Sequence, residues 1–174
     1  MKEIRWHARA GQGSKTASQL LAVALLRAGK SVQAFPEYGP ERRGAPMRAY
    51  TRVDDRPIRR HDSIDHPDVV VVLEPSLLHD AAVTAGLGDD GIIVANTEEE
   101  LPGAVCIPAA ALAPARSVNL VMLGALAAVL GEPPLDDIVG AAIEVLGKKA
   151  DPEALRSAIA AGYDYAAKEA LCLS

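Results

Sequence analysis

Cysteine is nearly absent from this chain: there are two, Cys106 and Cys172, far apart and in no CxxC pair. That spacing excludes a disulfide framework, a thiol zinc site and a cysteine-ligated iron–sulfur cluster built by this chain alone. Aromatics are equally scarce, at 3%. The stacking platforms of single-strand nucleic-acid binders are therefore missing, and with an overall charge of −5 no nucleic-acid partner is expected. Long apolar runs are missing too. The longest, Val118 to Leu130, is interrupted by Asn119 and falls short of the roughly 20 residues of a membrane span, so it reads as a buried helix. No membrane partner and a cytoplasmic location are the corresponding expectations.

The chain does hold plenty of small aliphatic residues. Hydrophobic residues make up 49% of its 174 positions and charged residues 24%, the balance of one globular domain, 1–174, with a core able to stand without metals or disulfides. Charge is unevenly placed. Residues 1–60 hold 13 of the 18 Lys and Arg and 5 of the 23 acids, a balance of +8; the remainder carries −13. A basic section in an acidic protein asks for an anionic ligand or an acidic partner surface.

Residues 3–8 alternate as a strand. Ala10-Gly11-Gln12-Gly13 follows as a tight turn, and Ala17, Leu20, Leu21, Ala24, Leu25 and Ala28 then share one helical face. Ser14 or Thr16 is placed to start that helix and Gly29 to end it. With Val32–Phe35 as a second strand, the opening reads as a β–α–β crossover on a parallel sheet. Residues 36–46, with three prolines and two glycines, predict an irregular loop. Met47–Val53 and Pro57–Arg59 read as strands around an Asp54-Asp55 turn, which makes the sheet mixed. Val69–Leu73 has no alternation and predicts a strand covered on both faces. A short helix is expected around Leu77–Ala85, strands at 92–94 and 105–107, and helices near 117–130, 135–146 and 152–170, the last opened by Asp151-Pro152. The expected fold is a three-layer α/β/α sandwich with a mostly parallel, mixed sheet, Rossmann-like, with a helical C-terminal third.

Two segments carry candidate chemistry. The first is the turn Gly11, Gln12, Gly13 with Ser14: a glycine turn at the carboxyl end of a strand lets backbone N–H groups and a helix N-terminus approach an anion. Neither established phosphate pattern is met. The dinucleotide spacing needs Gly at Thr16, and Ser14 separates Gly13 from the Lys-Thr pair of a P-loop. The second is the loop 36–46, whose Arg42 and Arg43 suit a phosphate or an acidic partner, or merely an ion cluster with Glu41. His7 reads as a hydrogen-bonded core residue, Glu74 as a helix cap in preference to a residue facing the same site, and Asn119 as a donor to backbone in the core or at an interface. No nucleophile–base set and no paired carboxylates stand out.

The run Arg5-Trp6-His7-Ala8-Arg9-Ala10-Gly11-Gln12-Gly13 is similar to the opening of the gamma subunit of 2-oxoacid:ferredoxin oxidoreductases, and Val32 through Pro46 resembles that family's second motif. Asn119 with Val121–Ala125 and the closing helix fit as well. Ala8 and Ala10 depart from the family's usual glycines. The resemblance implies a non-redox gamma-type subunit of an enzyme that oxidatively decarboxylates a 2-oxoacid, leaning to pyruvate, with coenzyme A. It implies alpha, beta and delta partner subunits, thiamine diphosphate and iron–sulfur clusters held in those partners, and ferredoxin or flavodoxin as acceptor. No cofactor is expected on this chain alone. Coenzyme A at its surface is the exception, with Gly11, Gln12, Gly13, Ser14, Arg42 and Arg43 as candidate contacts. The isolated chain is expected to be inactive and able to pair with itself. A stand-alone phosphate- or nucleotide-binding module, and an enzyme working through the turn and His7, are the alternatives.

Overall fold

A computed structural model describes residues 1–37 and 44–172, the last three in backbone only. Six strands form one sheet in the order β2-β3-β1-β4-β5-β6: β1 (Lys2–Arg9), β2 (Ser31–Glu37), β3 (Pro46–Asp54), β4 (Val69–Val72), β5 (Ile92–Asn96) and β6 (Ala104–Ile107). Only β3 runs against the rest. It pairs antiparallel with both β1 and β2, while β1, β4, β5 and β6 pair in parallel. The first helix, α1 (Ser14–Arg27), does connect two strands of the same direction, but β3 lies between them, so β1 and β2 are not neighbours.

Two further expectations need correction. Residues 57–59 are not a strand; β3 finds its partners in β1 and β2 instead. The loop is shorter than its prolines suggest, because β2 continues through Pro36 and Glu37 and β3 begins at Pro46. β2 is an edge strand, where a residue without an N–H can sit without breaking a ladder bond, and Pro46 is the first residue of its strand.

β1 and β3 are two-faced. Ile4, Trp6 and Ala8 of β1, and Ala49 and Val53 of β3, join the main core with α1, α4 (Val118–Leu130), α5 (Leu135–Leu146) and α6 (Pro152–Cys172). β4 is buried on both sides: Val69 and Val71 enter that core, and Val70 and Val72 a smaller one with Leu77 and Val83. The layers are thus α/β/α but unequal. Helices cover one face; the other is covered by a 3-10 turn at Pro75–Leu77, by α2 (Ala81–Thr84) and by loops. The segment 77–85 holds a single helical turn because Asp80 caps α2 and thereby restarts the chain. The remaining helix, α3 (Ala109–Leu112), links β6 to α4.

Under the thin layer the sheet is polar. Arg52 is fully buried there, bonded to Glu3 at 2.6 Å and stacked 5.5 Å over the Phe35 ring. Arg5, also buried, donates to the carbonyls of Ile64, Asp65, Val83 and Ala85. These charges stay inside because carbonyl and carboxylate oxygens meet their N–H groups.

Candidate functional site

The carboxyl ends of β1, β2 and β4 and the start of β3 meet at one edge of the sheet, since Arg9 pairs with Pro46, Glu37 with Arg48, and His7 with Val72. The glycine turn sits there. Gly11 and Gly13 both have positive φ, +97° and +82°, which the two retained glycines supply without Cβ strain. Ala8 and Ala10 do not open the turn: Ala8 is buried in the strand and the Ala10 N–H donates to the Ala45 carbonyl at 3.0 Å.

Gln12 is the turn's internal strut. Its Oε1 accepts from the Arg9 N–H at 2.7 Å, and its Nε2 donates to Glu74. Arg9 reaches across to the Gly44 carbonyl at 2.9 Å and to Ser76 Oγ at 3.1 Å. Arg9 therefore fastens Gly44, just ahead of β3, to the 3-10 turn that follows β4. Glu74 caps the 3-10 turn, accepting from the Ser76 N–H, and also accepts from Gln12, so the two roles weighed as alternatives coexist. Burial pushes its carboxyl up, but the bonds from Gln12 and Ser76 and the charge of Arg9 outweigh that and hold it below its usual range.

The anion-binding capacity of this edge comes from α1. Gly13 offers no side-chain cap, and the first helical bond runs from the Ala17 N–H to the Gly13 carbonyl. The N–H groups of Ser14, Lys15 and Thr16 have no partner inside the helix, and the dipole favours negative charge there. Lys15 is exposed beside them, whereas the Ser14 side chain is buried and faces inward. Arg42 and Arg43 lie outside the described residues. Glu37 and Gly44, the described residues on either side of them, lie at this same edge. From α4, Asn119 donates to the Gly13 carbonyl at 3.4 Å, the core-to-backbone bond expected of it.

His7 sits one layer below, on the thinly covered face. Its Nε2 accepts from Arg5 Nε at 3.0 Å. Since the guanidinium can only donate, the imidazole carries its proton on Nδ1. Burial first, then the charges of Arg5 and Arg48, depress its pKa to about 3. The ring is a fixed neutral group at the wall of a cavity of about 230 Å³ shared with Glu37, Met47, Arg48 and Asp80. It is not poised as a base near neutral pH. Arg5 and Arg9, the two organisers of this region, were not singled out by spacing. Their alternation with Trp6 on β1, i and i+2 on one face, was the available signal.

Among the described residues there is no group of three or more His, Cys, Asp or Glu placed to hold a metal ion, and no helix is long and apolar enough to cross a membrane.

Comparison with known proteins identifies the family and the fold. The family model for pyruvate ferredoxin/flavodoxin oxidoreductase matches residues 3–165. The chain is 44% identical over 179 residues to pyruvate synthase subunit PorC of Thermotoga maritima, spanning 93% of each chain. It is 60% identical over 99 residues to the pyruvate/ketoisovalerate oxidoreductases common subunit gamma of Thermococcus kodakarensis, 57% of this chain and 54% of that one. The crystal structure of pyruvate oxidoreductase subunit PORC from Thermotoga maritima is similar with a TM-score of 0.77 and 39% identity, over 94% of this chain and 95% of that chain.

Proposed function

The chain belongs to the pyruvate ferredoxin/flavodoxin oxidoreductase family, and from that premise we propose that it works as a gamma-type subunit without redox chemistry of its own, in an enzyme that converts pyruvate and coenzyme A to acetyl-CoA. Thiamine diphosphate and the iron–sulfur clusters then belong to alpha, beta and delta partner subunits, and the electrons leave to ferredoxin or flavodoxin. This chain's share is to dock against those partners as a rigid body and to bind phosphate groups of coenzyme A at the start of α1.

The observation that carries the second part is the uncapped N-terminus of α1, with exposed Lys15, at the edge where Glu37 and Gly44 also lie. Three free N–H groups and a nearby lysine suit a phosphate oxygen. Glu74 is the opposing charge, but its oxygens are already engaged by Gln12 and Ser76. Coenzyme A supplies the thiol that accepts the acyl group. The residues here bind and orient its phosphates and take no covalent part.

The test is reconstitution. The chain is expressed alone and with candidate alpha, beta and delta subunits, and coenzyme-A-dependent reduction of a viologen dye is followed with several 2-oxoacids. The expected result is turnover only by the full set, fastest with pyruvate, and a raised KM for coenzyme A when Arg42→Ala and Arg43→Ala are combined. Turnover by the isolated chain would overturn the subunit reading. An unchanged KM would confine the arginines to assembly.

A further inference from the structure

The end of the sheet opposite the glycine turn carries an apolar groove in strongly electronegative surroundings. A cavity of about 720 Å³ runs along β6, an outer strand of the sheet, floored by Ile92, Leu101, Pro102, Val105 and Val129. Glu100 and Glu169 also line it, and among the described residues no Lys or Arg does. The bias extends well beyond the groove: residues 61–115 contain ten Asp and Glu and not one Lys or Arg. Exposed Asp89 and Asp90 lead into the lining residue Gly91, and exposed Glu98 and Glu99 lead into Glu100. Val129 and Glu169 belong to the last turns of α4 and α6, neither of which has a basic residue there. The negative ends of two helix dipoles therefore add to the carboxylates.

The backbone is open on the same side. The Ile107 carbonyl accepts from the Thr97 N–H at 2.9 Å, which turns residues 105 and 107 toward β5. Alternation then turns the N–H and C=O of Cys106 outward, toward the groove. The neighbouring outward N–H, that of Ala104, is satisfied by the Leu101 carbonyl at 3.1 Å.

We propose that this groove seats an extended, basic segment of a partner subunit, with a branched aliphatic or aromatic side chain in the apolar floor, Lys or Arg against Glu100 and Glu169, and one peptide paired to Cys106. The cavity is of the size that takes one or two large side chains. Its charge selects a cationic occupant, and strand addition uses the open backbone. The assignment rests on the reading of the chain as a subunit. It places the docking surface at the end of the sheet away from α1's N-terminus, so that assembly leaves the anion-binding edge accessible.

The experiment uses the reconstituted complex. Pro102, exposed at the groove, is replaced by benzoylphenylalanine, and the assembled enzyme is irradiated and digested. In parallel, Glu100→Lys with Glu169→Lys is assembled and its dissociation followed at rising salt. Both glutamates are exposed, so an unchanged Tm for the isolated double variant shows that folding is intact. The expected result is a cross-link into a Lys- or Arg-containing partner segment, and assembly of the double variant weakened at least tenfold in affinity. Cross-links to a second copy of this chain or to its own C-terminal residues would overturn the proposal, as would undiminished assembly of the double variant. If the unaltered chain does not assemble with the partners at all, the subunit reading itself fails, a result distinct from these.

Discussion

Asn119 and Gly13 meet side chain to backbone, the Asn119 Nδ2 donating to the Gly13 carbonyl at 3.4 Å, and a Cβ on Gly13 would stand only 2.6 Å from that nitrogen. The contact ties the start of α1 to the first turn of α4, elements more than a hundred residues apart in sequence. It also constrains Gly13 twice, by space and by a φ of +82°.

Gly13→Ala should accordingly lose about 2–3 kcal/mol in urea unfolding, the left-handed backbone contributing about 1–2 of it. Asn119→Ala in the same background relieves the steric part only. The loss in the double variant should therefore be smaller than the sum of the two single losses, a coupling that a double-mutant cycle reads directly.

Lys15→Ala should raise the KM for coenzyme A several-fold with kcat unchanged, because an exposed lysine beside a helix N-terminus contributes to binding and not to the reacting atoms. The effect should shrink as salt rises, since such a contact is screened. A change in kcat with KM constant would instead tie Lys15 to assembly or chemistry.

The pH dependence of stability should carry the mark of His7. Unfolded, its imidazole protonates near pH 6.5; folded, burial and the charges of Arg5 and Arg48 delay that to about 3, against the weaker opposing pull of Asp80. Between those values the unfolded chain binds the extra proton. Stability therefore falls as pH drops below 6.5, at up to about 1.4 kcal/mol per pH unit from this one group. His7→Gln should flatten the slope of unfolding free energy between pH 6.5 and 5, above the range where carboxylates with lowered pKa such as Glu74 contribute. An identical slope in the variant would show that His7 is not held neutral.

The elements whose periodicity is uninterrupted were legible in the sequence. Val69–Val72 is apolar on both sides because both faces are covered, and α4 stops at Gly131, α5 is bounded by Pro134 and Gly147 and α6 opens at Pro152, signals that act locally. What could not be read was the position of β3. Its insertion between β1 and β2 is fixed by long-range pairing such as Trp6 with Ala49 and Phe35 with Tyr50, and no local pattern records a strand's neighbour. The turn was legible as a turn, since only glycine suits its backbone. The roles of Arg9 and Gln12 within it were not, because they depend on Gly44, Glu74 and Ser76 arriving from distant segments. Arg5 and Arg52 look like surface residues by type. They are buried because the covering loops present carbonyls and carboxylates to them.

The pairing of α4 with α6 rests on two glycines that no composition argument singles out. A Cβ on Gly124 would lie 1.9 Å from the Ile159 carbonyl oxygen, and one on Gly162 would lie 1.9 Å from that of Val121. The helices are in backbone contact at both points, and neither has room to yield by a side-chain rotation. Alanine has the better helix propensity by about 1 kcal/mol, so on local grounds either replacement should stabilise. The backbone clash runs the other way and is larger: separating two packed helices strains the core around Met122, Leu123 and Ile159, at a cost of about 3 kcal/mol or more. Gly124→Ala and Gly162→Ala should each lower Tm by roughly six to twelve degrees for a domain of 174 residues. Gly88→Ala, where an added Cβ meets nothing within 4 Å and φ is ordinary, should leave Tm unchanged or slightly raised. If Gly162→Ala proved as harmless as Gly88→Ala, the close approach of α4 and α6 would not exist in solution.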